Sequence, residues 1–155
     1  MSKLNNEQMC LLYSKIFNME IIGLRFFNIF GRFQRHDSQY SAVIPLFFKN
    51  ALSNKDIIIF GDGKQTRSFT HVDNVMQAML FASTTVNKDA FGKTFDIGTN
   101  SVCSVYDLAQ NIISISHSGS KIKYTERRKG DIMNSKADLR LSKLYLDWKP
   151  ELDLK

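Results

Sequence analysis

The chain has 155 residues, of which 43% are hydrophobic and 23% charged, and carries a formal net charge of +6. That is a globular composition with enough apolar residues for one modest core and not for two full domains. No apolar run reaches the ~20 residues of a membrane span, and Met1 to Gln8 has no signal-peptide core, so a cytoplasmic chain without a membrane partner is expected.

Helical and strand patterns alternate along the chain, which predicts an α/β fold. Leu4 to Phe17 reads as a helix, because Met9, Leu12, Ile16 and Phe17 recur at three- and four-residue steps. After the break at Asn18-Met19-Glu20, Ile21 to Phe30 is a nearly continuous apolar run ended by Gly31. Such a run predicts one strand buried on both faces of a parallel sheet. Arg32 to Ser41 is a polar loop, and Ala42 to Leu52 a helix with Pro45 in its first turn, where proline is tolerated. Ile57 to Phe60 is a strand. A Gly-Asp-Gly turn, a second short strand and a helix from Asp73 to Ala82 follow, with Asp73 expected to cap the free amides. Thr94 to Gly98 predicts a strand. Ser104 to Ser114 predicts a helix opening on Ser-x-x-Asp, a capping-box-like start. Lys121 to Glu126 predicts a strand, and Leu139 to Leu146 a helix stopped at Trp148-Lys149-Pro150. No repeat or linker divides the chain.

The positive charges are spread out, apart from Arg127-Arg128-Lys129, and no aromatic-interleaved basic stripe accompanies them. Nucleic acid is therefore not the expected partner; a small anionic ligand suits the balance equally well. His36, His71 and His117 are scattered, and Cys10 and Cys103 lack metal-ligand spacing, so no metal and two reduced thiols are expected. The most informative block is Gly61 to Val75. Its strand, glycine-rich turn and second strand present one arginine, Arg67, whose planar guanidinium suits a phosphate or carboxylate. On spacing alone an ordinary turn with an exposed arginine is the favoured reading of the block.

Gly61-Asp62-Gly63, Arg67-Ser68-Phe69, Val72 and Asn74-Val75 resemble the substrate-lobe signature G-D-G-x-x-x-R-[DS]-F-x-x-V-x-[DN]-V of nucleotide-sugar epimerases and dehydratases. These form the extended short-chain dehydrogenase/reductase family. Ser2-Lys3 with Asn6-Glu7 is similar to the end of the family's Tyr-x-x-x-Lys motif, although alone it is only an N-terminal Ser-Lys. Residues four apart share a helix face, so the lysine sits beside the tyrosine and depresses its pKa. The resemblance implies that Lys3 is catalytic and holds the nicotinamide ribose of NAD. The tyrosine would fall two residues before Met1, and it and a glycine fingerprint are expected upstream, because no G-x-G-x-x-G turn follows any strand here.

Arg25-Phe26-Phe27-Asn28 through Gly31 resembles the strand closing the cofactor domain, which implies Phe26 beside the nicotinamide and Phe27 and Asn28 on the substrate. Both phenylalanines also read as plain core. Tyr40 to Pro45 resembles the loop-to-helix entry along the nucleotide, here Ala42 and Val43, and Gly31-Arg32-Phe33-Gln34 is similar to a form found in UDP-N-acetylhexosamine 4-epimerases. The backbone of Ile58, Ile59 and Phe60 is implied at the uracil edge, with their side chains in the core. Arg127-Arg128-Lys129-Gly130-Asp131 is similar to the family's R-x-G-D segment, or else is a solvated charged loop. As the former it implies Arg128 with Arg67 on the diphosphate and Asp131 on the ribose. Ser68 replaces the usual Asp and is expected to loosen the turn around Arg67, Lys129 replaces a small residue, and Asp147 replaces Gly.

The resemblance runs from Ser2 to Pro150. It implies residues 1–31 as the remnant of a Rossmann-type dinucleotide-binding domain and 32–155 as the smaller α/β substrate-binding lobe. The implied parent activity is NAD-dependent UDP-sugar 4-epimerisation: a tyrosinate takes the C4 hydroxyl proton, NAD takes the hydride, and hydride returns to the other face of the 4-keto sugar. This chain alone is expected to be inactive. A 4,6-dehydratase fragment and a non-catalytic UDP-binding module are the alternatives. Surface polysaccharide synthesis and a homodimer through the first helix are what the family implies.

Overall fold

The computed structural model describes residues 2–35 and 42–154. In chain order they form α1 (Ser2–Phe17), β1 (Ile22–Phe26), β2 (Ile29–Phe30), α2 (Val43–Leu52), β3 (Ile57–Phe60), β4 (Thr66–Arg67) and β5 (Thr70–His71). These are followed by α3 (Val72–Thr84), a short 3-10 turn (Lys88–Ala90), β6 (Lys93–Ile97), β7 (Cys103–Ser104), α4 (Val105–Ile115), β8 (Ile122–Thr125), β9 (Asn134–Ser135) and α5 (Arg140–Leu146). The parallel pairs are β1 with β6, β2 with β5, β3 with β8, and β4 with β9. A three-stranded ribbon, β7-β4-β9, lies across the Arg67 segment. The expected α/β class is observed.

Two cores follow from this pairing. In one, Ile57 and Ile59 of β3 meet Ile44 and Phe47 of α2 and Leu108 and Ile112 of α4. In the other, Phe95 and Ile97 of β6 meet Val75 and Ala78 of α3, with Leu146 and the buried Trp148 closing the cluster. The chain turns abruptly after α5 because Asp147 takes a left-handed conformation, φ 51°, where the resemblance had placed glycine.

The apolar run 21–30 is not one strand. It breaks at Phe27–Asn28, where Asn28 has φ +33°, and its two parts join different sheets. Pattern alone cannot reveal this, because the break is imposed from 40 residues away: the Asn28 amide donates to the Ser68 carbonyl (3.2 Å), and Thr70 N–H donates to the Asn28 carbonyl (3.2 Å). Nor is β1 buried on both faces, since among the described residues β6 is its only partner and Phe26 is 46% exposed. The expected Asp73 cap is also corrected. His71 caps α3, its Nδ1 accepting from Asp73 N–H at 3.2 Å. Ser104 caps α4 as expected, but Asp107 meets the serine hydroxyl (2.6 Å) rather than closing a full box on the backbone.

Registry places α1 and α3 on opposite faces of the β1–β6 pair. Leu24 and Phe95, side by side, join the α3 cluster, whereas Arg25 and Asp96 face the other way. There Arg25 donates to both carboxylate oxygens of Glu7 on α1 (2.7 and 2.6 Å). The predicted apolar stripe of α1 is not covered by the described residues: Met9, Leu12, Ile16 and Phe17 are all at least half exposed.

Two predictions follow from this packing. A Cβ at Gly98 would lie 2.4 Å from the Ala137 Cβ, so Gly98→Ala should cost about 1–3 kcal/mol by urea unfolding. Arg25 holds the Glu7 carboxyl below its ordinary value, chiefly through their hydrogen bond. A depressed carboxylate pKa stabilises above the unfolded value, and that contribution is lost as pH falls through the folded one. Amide exchange in α1 should therefore quicken below about pH 4, and Glu7→Gln should abolish that pH dependence.

Candidate functional site

The site is a cavity of about 280 Å³ against the first core, at the lower end of small-ligand sites. Eight of the eleven residues nominated from sequence line it: Asn28, Ala42, Val43, Ile58, Phe60, Arg67, Arg128 and Asp131. Lys3, Phe26 and Phe27 do not. Lys3 is exposed on α1, Phe26 ends β1, and Phe27 packs against the Trp148 core. Tyr40 and Ser41 lie outside the described residues.

Each wall has a local cause. β3 alternates, so Ile57 and Ile59 are buried while Ile58 is 40% exposed and Phe60 half-buried; the expectation of three core side chains fails by this period of two. Gly61 and Gly63 both have φ +78°, which only glycine takes without strain, and this tight turn returns the chain to β4. Gln65, not nominated from sequence, locks the turn. It is buried, and its side-chain amide donates to the Phe60 carbonyl at 2.8 Å. A buried glutamine just after a glycine turn, spaced to close it, is the signal that would have revealed it. Phe69 and Val105 complete the apolar wall. Ala42 caps α2 without a side-chain acceptor, so the first amides of α2 find no such partner among the described residues.

Ser68 does not loosen the turn. It is fully buried; its hydroxyl donates to the Thr99 carbonyl (2.7 Å) and accepts from Thr99 N–H (3.1 Å). The two arginines differ in their partners. Arg67 is largely buried, and its Nη2 meets Asp131 Oδ1 at 2.6 Å while Nη1 donates to the Thr66 carbonyl at 2.8 Å. Arg128 lies over Phe60, its Cζ 3.9 Å from the ring centroid, with no carboxylate partner among the described residues. Arg127 Nη2 in turn donates to the Asp131 carbonyl at 2.8 Å, which orders the basic loop against the cavity mouth. The cavity therefore combines one compensated cation, one uncompensated cation, an amide and apolar walls. Such a lining suits a phosphorylated ligand with a flat apolar or aromatic part.

A family model described as the NAD dependent epimerase/dehydratase family matches residues 1–98. The chain belongs to that family. It is 36% identical over 157 residues to a putative UDP-glucose 4-epimerase of Methanocaldococcus jannaschii, covering all of this chain and 48% of that protein. Over 152 residues it is 32% identical to a UDP-N-acetyl-alpha-D-glucosaminuronate decarboxylase of Bacillus cytotoxicus, covering 94% of this chain and 46% of the relative. The UDP-glucose 4-epimerase of Thermotoga maritima, solved with UDP-glucose, superposes with a TM-score of 0.91 at 26% identity, over 97% of this chain and 47% of that one. This family member thus spans about half the length of the relatives it matches.

The family is described as NAD-dependent. Lys3 and Phe26 are exposed and line no part of the cavity, and no glycine-rich strand-to-helix turn of the dinucleotide type occurs in the sequence. Among the described residues no group of His, Cys, Asp and Glu could hold a metal, and no helix is long and apolar enough to cross a membrane. Cys103 is a free, half-buried cysteine whose thiol burial pushes up, away from the reactive thiolate.

Arg67→Ala should strand the Asp131 carboxylate and cost about 1–3 kcal/mol by chemical unfolding, with faster amide exchange across residues 127–133.

Proposed function

We propose that this chain is the C-terminal, substrate-binding portion of an NAD-dependent UDP-sugar 4-epimerase. The observation that carries the reading is the convergence of Asn28, the Ala42–Val43 helix entry, the Phe60 edge, Arg67 and Arg128 on one cavity. In this reading the diphosphate lies between Arg128 and Arg67, with the Asn28 amide as a further donor, and Asp131 serves both Arg67 and the ribose. The uracil runs along the backbone of Ile58 to Phe60. Gripping the nucleotide remotely from the reacting carbon is how such an enzyme holds a sugar through successive steps. Phe27 borders the sugar, Lys3 is the catalytic lysine and nicotinamide-ribose ligand, and Phe26 flanks the nicotinamide.

Residues 1–31 then form the remnant of the dinucleotide-binding domain and 32–155 the substrate lobe, with β6 lending its strand to the former. A cytoplasmic location, a role in polysaccharide synthesis and a homodimer through α1 belong to the same proposal. So does inactivity of this chain alone, because the tyrosine partner of Lys3 and the glycine fingerprint are absent from this sequence. The decarboxylase relative keeps a different reaction on UDP-sugars as the second reading.

Titration calorimetry with UDP and UDP-glucose tests the grip. Binding should weaken at least ~10-fold, about 1.4 kcal/mol, in Arg128→Ala, and similarly in Arg67→Ala where that variant remains folded. Equal affinity in wild type and Arg128→Ala would sink the nucleotide site, and turnover of UDP-glucose with NAD by this chain alone would sink the inactivity.

A further inference from the structure

We propose that a second recess, bordered by Asn100, Lys136, Lys143, Trp148 and Lys149, is an anion site for a phosphorylated small molecule. It is a cavity of about 530 Å³ and shares no lining residue with the first, so it stands independently of the UDP-sugar reading. Its charge is unbalanced. Four cations border it, Lys136, Arg140, Lys143 and Lys149, against one carboxylate, Asp138. That carboxylate is already committed: Arg140 Nη2 meets it at 2.6 Å and Arg140 Nε reaches both of its oxygens at 3.0 Å. The Arg140 guanidinium accordingly holds the Asp138 carboxyl down to about 2, so it stays ionised and paired.

Three lysines remain, none with a carboxylate partner among the described residues. Like charges gathered without a counter-ion repel one another, and a multiply charged anion relieves that repulsion while accepting charge-assisted hydrogen bonds. Trp148, 1% exposed, lines the same recess, and its buried indole N–H has no acceptor among the described residues. An unpaired buried donor is costly and rare. The free polar groups at the rim of the recess are thus the three exposed lysines and the Asn100 amide, with Trp148 in the buried wall behind them. Ala137 and Leu139, both buried, supply an apolar wall that suits an organic phosphate.

The chain has a single tryptophan, so one indole N–H resonance reports the recess. In the ¹⁵N-labelled full chain, pyrophosphate should shift that resonance saturably with an apparent Kd near ~1 mM or tighter. The affinity should fall at least tenfold in Lys143→Glu/Lys149→Glu and stay unchanged in Arg128→Ala. If the charge reversal unfolds the chain, Lys143→Gln/Lys149→Gln should still weaken binding several-fold. Parallel titrations with inorganic phosphate and UMP separate a free phosphate from a nucleotide as the source. The proposal is overturned by a shift no larger than sodium chloride gives at equal ionic strength. It is equally overturned by a shift that survives the lysine substitutions, or by one lost in Arg128→Ala.

Discussion

Three segments distant in sequence meet in one buried polar knot, and the cavity depends on it. The Ser68 hydroxyl is bonded to both the carbonyl and the N–H of Thr99, the Thr99 hydroxyl reaches the Phe69 carbonyl, and the Asn28 amide takes the Ser68 carbonyl. Phe27 N–H meanwhile still donates to the Ile97 carbonyl, the last rung of the first sheet. Within a few residues the chain leaves one sheet and enters another. Buried hydrogen bonds of this kind contribute modestly when satisfied and cost heavily when broken. The knot therefore acts less as a source of net stability than as a constraint fixing where β2, β4 and the Arg67 segment stand relative to one another.

Much of the architecture was legible because it rests on local rules. The Ser104 start of α4, Pro45 in the first turn of α2 and the glycine turn at 61–63 are each decided by a few neighbouring residues. What escaped is tertiary. An apolar decapeptide cannot disclose that it will be divided at Asn28, since the groups that divide it come from residues 68–70. His71 displaced Asp73 as the cap because the chain enters α3 directly from β5, which carries the histidine to the N-cap position.

The nominated site followed the same divide. Arg67, Arg128 and Asp131 were found through a motif resemblance, and the fold sets them round one cavity with Asn28 and Phe60. Gln65 was missed because its role is to hold a turn rather than to touch a ligand. Lys3 and Phe26 fall elsewhere, both exposed, in a chain that spans about half the length of its relatives. The apolar stripe of α1 likewise stays exposed among the described residues.

The aromatic seat of Arg128 sets this cation apart from its neighbour. Asp131 neutralises Arg67, but the Phe60 ring orients Arg128 without consuming its charge. Among the cavity-lining cations, Arg128 therefore carries the charge that no carboxylate of the described residues offsets. A lysine there would preserve the sign while losing the planar group over the ring and the forked donor geometry. The long-range pull of that charge is screened within about 8 Å at physiological ionic strength. The cavity thus separates recruitment from architecture: Arg128 draws an anion in, while Arg67 meets it from a position that Asp131 already holds.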